Sequence, residues 1–357
     1  MDYADLKYTV GTASRSFAVR AAECVNVKEG WRGVPGAVGD GIADDFDAIQ
    51  SAIEHAFGDL DDPHREVGKL LNKPLYFPSG IYNISEQIEF RDIFGAKIFG
   101  NGSGSTHIVY TGGTNIQGGA THIFVFRTLR YSTVSGMTLR FGSSPTDPLC
   151  AQFGMAPGVG NDGNANIFID MAFEDGRFGV LVGWPGGYGH GSLGSEFTWV
   201  NCHWKNFETY GLKLFSQNAL NHVLLGGSFV NCAGIAAHST QGGASMPTII
   251  GTYFDNGVNT NDIYDTADGG SRFGCYSKSK NFLTVADAQQ LLAGCYHNGA
   301  AGGTFLHNGT FPSFTEACRS TNGIISGPKT YVKGSTFGVS TYLDAVATAY
   351  LDDVVVP

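Results

Sequence analysis

Apolar positions recur at helical spacing in one stretch near the start of the chain, at Phe46, Ile49, Ile53 and Phe57. This spacing predicts a short amphipathic helix begun at Asp44 or Asp45, whose carboxylates are placed to cap the free amides of the first turn. After Lys73 the pattern changes. Segments such as "KPLYFPSGIYNI", "HIVYTG", "HIFVF", "STVSGMTLRF" and "NIFIDMAF" are short, rich in β-branched and aromatic residues, and bounded by Gly, Asn, Ser or Asp. They predict strands. No second helix alternates with them, which argues against a doubly wound α/β sheet.

The strands repeat. "IDMAFED", "VNCHWKN", "LGGSFVN" and "IGTYFDN" each place an aromatic residue two positions before Asp or Asn. The aromatics are Phe173, Trp204, Phe229 and Phe254, and the polar partners are Asp175, Asn206, Asn231 and Asn256. A period of 25 to 31 residues with strand and turn content points to a solenoid of parallel strands. Equivalent residues of successive coils then stack about 4.8 Å apart. The aromatics are expected to form a buried column, and the Asn side chains a hydrogen-bonded ladder at a bend, where Asn tolerates left-handed backbone. A β-sandwich, the alternative, predicts hairpins and clean two-residue alternation. "FGCYSKS", "AGCYHNG" and "EACRSTNG" continue the repeat, with the aromatic position left open between the Cys and the residue after it.

Of 357 residues, 42% are hydrophobic, 15% are charged and 51 are Gly, so the chain can bury a large core and must turn often. A net charge of -10 without a basic, aromatic-interleaved cluster argues against a nucleic-acid partner. No apolar run reaches the roughly 18 residues of a membrane span, and the first residues carry no signal-peptide pattern. Seven Cys without a C-x-x-C pair suit small core residues better than disulfides or zinc. The sequence gives no clear set of Asp on adjacent coils, which leaves calcium open without assigning a metal ligand, and no cofactor is expected.

"NVKEGWRGVPGAVGDGIADDFDAIQSAI", followed by "PLYFPSGIYNIS" and "IFGNGSGSTHI", resembles the N-terminal signature of the pectate-lyase-like superfamily of right-handed parallel β-helix proteins. The resemblance is specific over residues 24–110 and architectural to about 330. The "EGWRGVP" segment departs from it, since most members pass almost directly from the first strand into the Gly-Asp-Gly turn. The resemblance implies an all-β, single-stranded right-handed parallel β-helix over residues 23–335, whose open end the helix caps. Residues 1–22 would be an N-terminal arm and 336–357 a C-terminal strand or tail. With no signal peptide, the type implied is a phage tailspike or polysaccharide depolymerase. That would be a homotrimer on a virion, attached through its arm, which binds and cleaves a bacterial surface polysaccharide by hydrolysis or elimination. A non-catalytic glycan-binding spike is the rival. A cellular carbohydrate enzyme, cytoplasmic or extracellular, is a third reading.

If the aromatic column points inward, alternation turns His203 and Tyr253 outward on one side of it and Glu174, Lys205 and Asp255 on the other. Continued backwards, the alternation also sets Trp199 outside, near Asp170. Such a surface suits sugars, because ring faces cover C–H patches while polar groups bond hydroxyls. Trp199 and Tyr253 are therefore expected to bind substrate. The Gly-rich insertion 184–195 would wall the face with Tyr188 and His190, and the loop 142–164 would form a second wall.

Glycoside hydrolysis usually needs two carboxyl groups about 5 Å apart, or about 6.5–9.5 Å apart. Glu174 and Asp255 lie three coils apart, about 14 Å, and Asp170 and Glu174 roughly 13 Å along one strand. Elimination instead needs a base and a group that neutralises a uronate carboxylate. His203, Lys205, Arg177 and Tyr253 have that chemistry. Glu174 and Lys205, one coil apart, also suit an ordinary surface ion pair.

Overall fold

The computed structural model describes residues 7–10, 13–16, 23–58, 73–91, 93–112, 121–126, 129–142, 148–153, 162–182, 193–214, 221–237, 247–257, 261–265, 270–285, 290–298, 303–308, 313–320, 323–326, 329–337, 343–344 and 348–352. The chain winds as a right-handed parallel β-helix. Each coil contributes to three stacks of parallel strands. In one coil the first stack takes Thr198–Val200, the second His203–Phe207 and the third Leu212–Leu214. In two coils the first two stacks are joined by one long strand, Thr133–Phe141 and Ile167–Gly176. A smaller fourth stack, from Ile93–Phe94 to Leu193–Ser195, lines one corner.

The expected aromatic column is present. Phe173, Trp204, Phe229 and Phe254 are Cα partners on successive coils, and all are 1% exposed or less. Their rings stack with centroids 5.5, 4.4 and 5.3 Å apart and planes within 20° of parallel. The polar ladder follows at the bend. Asn206 Nδ2 donates to Asp175 Oδ1 at 2.9 Å, and Asn231 Nδ2 to Asn206 Oδ1 at 3.0 Å. All three residues have φ between 54° and 60°, the left-handed backbone that a one-residue corner demands. Asn256 leaves the ladder. It is buried, accepts the Cys232 N–H and donates to Asp262.

In the next coils the column passes to neither residue left open in the sequence. Phe254 pairs with Ser277, and Ser277 with His297, so the occupant lies two positions after each Cys. Cys275, Cys295 and Cys318 fill a separate buried column. Cys24, Cys202, Cys232, Cys275, Cys295 and Cys318 are free thiols.

The helix Phe46–Phe57 buries Ile49, Ala52, Ile53, Ala56 and Phe57 over the strands Val25–Asn26, Leu75–Phe77 and Ile88–Phe90. It thereby covers core that the first coil would otherwise expose. The "EGWRGVP" segment is part of this cap. Trp31 and Val34 pair as an isolated bridge, Trp31 stacks on His55 at 4.1 Å, and its carbonyl accepts the Ser51 hydroxyl.

The Asp residues before the helix divide the work differently from the expected cap. Asp40 Oδ1 accepts the N–H groups of Ile42 and Ala43, which closes the Gly39–Gly41 turn, where both glycines have φ near 70°. Asp44 Oδ1 accepts the Phe46 N–H at 3.2 Å and its carboxylate also holds Ser85. Asp45 makes no side-chain cap. Its buried carboxylate reaches back to the N–H groups of Val38 and Gly39, at 2.6 and 3.1 Å.

Thr336–Phe337, Leu343–Asp344 and Thr348–Asp352 pair in the second, third and first stacks, so strands of the solenoid also occur within residues 336–357. Within residues 1–22 the strands Lys7–Val10 and Ala13–Ser16 form an antiparallel pair. No helix is long and apolar enough to cross a membrane among the described residues.

Candidate functional site

The outer surface of the second stack carries the chemistry. Two outward columns run along it, set by strand alternation on either side of the buried aromatic column. In one, register places Arg140, Glu174 and Lys205 on successive coils, followed by Val230 and Asp255. In the other, Thr138, Ala172, His203, Ser228 and Tyr253 follow one another. Neighbours in a column are about 4.8 Å apart, and His203 and Lys205, two apart on one strand, are separated by about 7 Å.

His203 sits between the small Ala172 and Ser228, and its Nδ1 is 2.9 Å from Ser228 Oγ. That bond fixes the ring, leaving Nε2 as the nitrogen not engaged by the serine. Lys205 is exposed two strand positions beyond. Glu174 lies between Lys205 and Arg140, so the column alternates cation, anion, cation over three coils.

Trp199 is not on this surface. It is 1% exposed, packed flat on Phe168 inside the first stack. The cause is the bend. Asp170 and Asn201 take φ of 50°, and one left-handed residue shifts the inside–outside alternation by a step. Counting by twos across the corner therefore exchanges core and surface.

Asp170 also serves this corner. Its carboxylate accepts the backbone N–H and hydroxyl of Ser103, at 3.1 and 2.9 Å, and pins the loop 101–105 over Thr138. Arg177 lies past the Asp175 bend. Its guanidinium covers Phe178 and its carbonyl accepts Thr209, which places it at the corner of the third stack.

Tyr253 faces outward as expected, but its ring faces are occupied. It stacks on Tyr276 at 5.6 Å and 12°, Lys278 Nζ lies 5.6 Å from its centroid, and its hydroxyl donates to Asp255 at 2.8 Å. The column continues through Tyr296 to Arg319. It therefore offers ring edges and hydroxyls rather than open aromatic faces. Asp255 is engaged by Tyr253 and Lys278 three coils from Glu174, in keeping with the long carboxylate separation. Tyr188 and His190 lie outside the described residues, as does most of the loop 142–164.

Sequence reasoning missed Arg140. "TLRF" aligns with "AFED" once Leu139 is paired with Phe173, but an aliphatic residue in the aromatic column hid the match. Among the described residues no group of three His, Cys, Asp or Glu side chains could hold a metal ion. The deep thiols of Cys202 and Cys232 are pushed up to about 12 by burial, which leaves them protonated and unreactive.

No curated protein matches this sequence. A family model described as "Rhamnogalacturonase A/epimerase, pectate lyase-like" matches residues 25–138. Among solved structures, the ORF18 protein of Geobacillus virus E2 superposes with a TM-score of 0.61 at 16% identity, covering 95% of this chain and 61% of that one. The Agl-KA catalytic domain gives 0.54 at 14% identity, covering 94% and 65%. The pre-mature bacteriophage phi29 gene product 12 gives 0.52 at 12% identity, covering 95% and 52%. This chain thus spans less than two thirds of the length of these neighbours. Residues 25–138 are similar to a pectate-lyase-like family, and the chain as a whole has a right-handed parallel β-helix fold.

Proposed function

We propose that the protein is a virion spike that binds and cleaves an acidic bacterial surface polysaccharide, at the outer face of the second stack. The carrying observation is the set Arg140, Glu174 and Lys205 on three successive coils, with His203 beside it and oriented by Ser228. This set suits elimination better than hydrolysis, because the carboxylates named on this face are either too distant or committed to structure. In an elimination, the proton on the carbon beside a uronate carboxylate leaves to a base. Its electron pair becomes a carbon–carbon double bond, and the glycosidic oxygen departs and is protonated from solvent. His203 Nε2 supplies the base, and Lys205 and Arg140 neutralise the carboxylate. Glu174, on the coil between them, offsets the repulsion between the two cations. Residues 1–22 serve as the attachment arm.

The neighbouring viral proteins and the resemblance of residues 24–110 to tailspike-containing β-helix proteins support the virion setting. Incubation with capsular and O-antigen polysaccharides, followed by chain length and ultraviolet absorbance, tests the reading. Shortening with rising absorbance is expected. Shortening without absorbance would replace elimination with hydrolysis, and binding without shortening would leave a spike that only adheres.

A further inference from the structure

We propose that the outer face of the first stack, from the coil of Ile167 to that of Leu291, is a contact surface for a second copy of this chain. The inference goes beyond the glycan reading and uses none of its residues.

Nine large hydrophobic residues are markedly exposed among the described residues, and five of them, Ile167, Ile169, Leu225, Ile250 and Leu291, lie on this one face at 36–41% exposure. They are not scattered. Register puts Ile169, Val200, Leu225, Ile250, Phe273 and Ala293 in a single outward column over six successive coils. The parallel column holds Ile167, Thr198, Val223 and Thr248, with Ser271 and Leu291 further along. No ionisable side chain occurs in either column over this length. Isolated surface hydrophobics need no explanation, but a contiguous stripe on a regular sheet face marks an interaction surface.

Two features select a copy of the chain as the occupant. First, the chain carries a net charge of -10, so two copies repel except where a contact is free of charge. The adjoining second-stack face, with Arg140, Glu174, Lys205 and Asp255, is charged, whereas this one is not. Charge returns at both ends. Lys97 covers Phe99 before the stripe begins, and Glu316 and Lys333 follow Ala293 in its column. Second, the stripe is straight and repeats about every 4.8 Å for about 24 Å. A surface with the same repeat and straightness covers it throughout, and a second solenoid of this sequence supplies one. The bends beside the last four coils of the stripe carry Gly226, Gly251, Gly274 and Gly294, so no side chain at those bends holds a neighbour away, while Asp170 and Asn201 stand at the bends of the first two.

Leu225 and Ile250 lie on the two central coils of the six, so each falls within about one coil of its counterpart whichever way two chains run. The test is the mass of the full chain in solution by analytical ultracentrifugation at micromolar concentration. The native protein is expected at two or more chain masses, and the double variant Leu225→Asp, Ile250→Asp at one, with an unchanged circular dichroism spectrum. Lys205→Ala on the charged face should leave the assembly intact. A native protein of one chain mass, or a folded double variant that keeps the native mass, overturns the proposal. Should the double variant not fold, Leu225→Cys with a short bismaleimide provides the second measurement. A two-chain band on a denaturing gel, absent from the unmodified protein, is expected, and its absence overturns the proposal.

Discussion

Trp199 lies flat on Phe168, with ring centroids 4.3 Å apart and planes 17° from parallel, and both rings are 1% exposed. Edge contacts with Phe197, Phe173 and Trp204 close the remaining sides. Trp199→Ala should therefore cost about 3–5 kcal/mol, the range for truncating a large buried aromatic. Thermal unfolding checks this. A variant that melts with the parent but loses affinity for polysaccharide would return Trp199 to the surface role that sequence alternation gave it.

Asp45 is the second residue whose role the structure changes. Its carboxylate is the acceptor for the Val38 and Gly39 N–H groups, in a site where the carboxyl is 1% exposed. Removing the charged acceptor of two part-buried hydrogen bonds costs about 1–3 kcal/mol. Asp45→Ala should lose that much stability in denaturant titrations, while Asp47→Ala, within the first helical turn, should lose only a few tenths. Equal losses would mean that Asp45 acts as an ordinary helix-end charge.

How legible the molecule was depends on what kind of rule each feature obeys. The aromatic column and the helix face were readable because periodicity alone fixes which side chains meet: Phe173, Trp204, Phe229 and Phe254 need only the coil length to be counted correctly. Trp199 was misread because a left-handed corner at Asp170 and Asn201 breaks alternation, and no single residue type announces that break. The same kind of limit hid Arg140, whose neighbour in the column is Leu139 rather than an aromatic. It also hid Ser277 and His297, polar residues in a position that earlier coils fill with rings. Glu174, Lys205 and His203 came out together because each lies next to the aromatic column on its own second-stack strand, with no left-handed residue between, so counting by twos holds.

Asp262 gives the fold a pH dependence. It is wholly buried, accepts from Asn256 Nδ2 at 2.8 Å and from the Ser277 hydroxyl, and burial pushes its carboxyl up to about 7 in spite of those bonds. In the unfolded chain an Asp titrates near about 3.9. The folded state thus favours the neutral form, and its stability falls as pH rises from about 4 to about 7, then levels. A displacement of about three pH units corresponds to about 4 kcal/mol at about 1.4 kcal/mol per unit. Asp262→Asn lacks this titration. The stability difference, native minus variant, should shrink by up to that amount between pH 4 and pH 7, measured by thermal melts in matched buffers. His222, held near 4 by burial, titrates alike in both proteins and cancels. A difference that is flat or widens with pH would place the charge of Asp262 elsewhere.

His203 and Lys205 face the same side of one strand, and their proposed roles separate in kinetics. A base contributes about 10²–10⁴ to rate, so His203→Ala should lower kcat by that factor on any acidic glycan the protein shortens. Lys205 meets the substrate carboxylate before as well as during the reaction. Lys205→Ala should accordingly raise KM as well as lower kcat, and its defect relative to the native protein should shrink as salt screens the attraction that Lys205 supplies. Ser228→Ala removes only the partner of His203 Nδ1, and should cost less than His203→Ala while leaving KM unchanged. Asp170→Asn, which loosens Ser103 rather than any reacting atom, should act on thermal stability and little on kcat. If Asp170→Asn abolished turnover while His203→Ala did not, the site would have to be moved to the corner between the first and second stacks, and proton abstraction by His203 would be wrong.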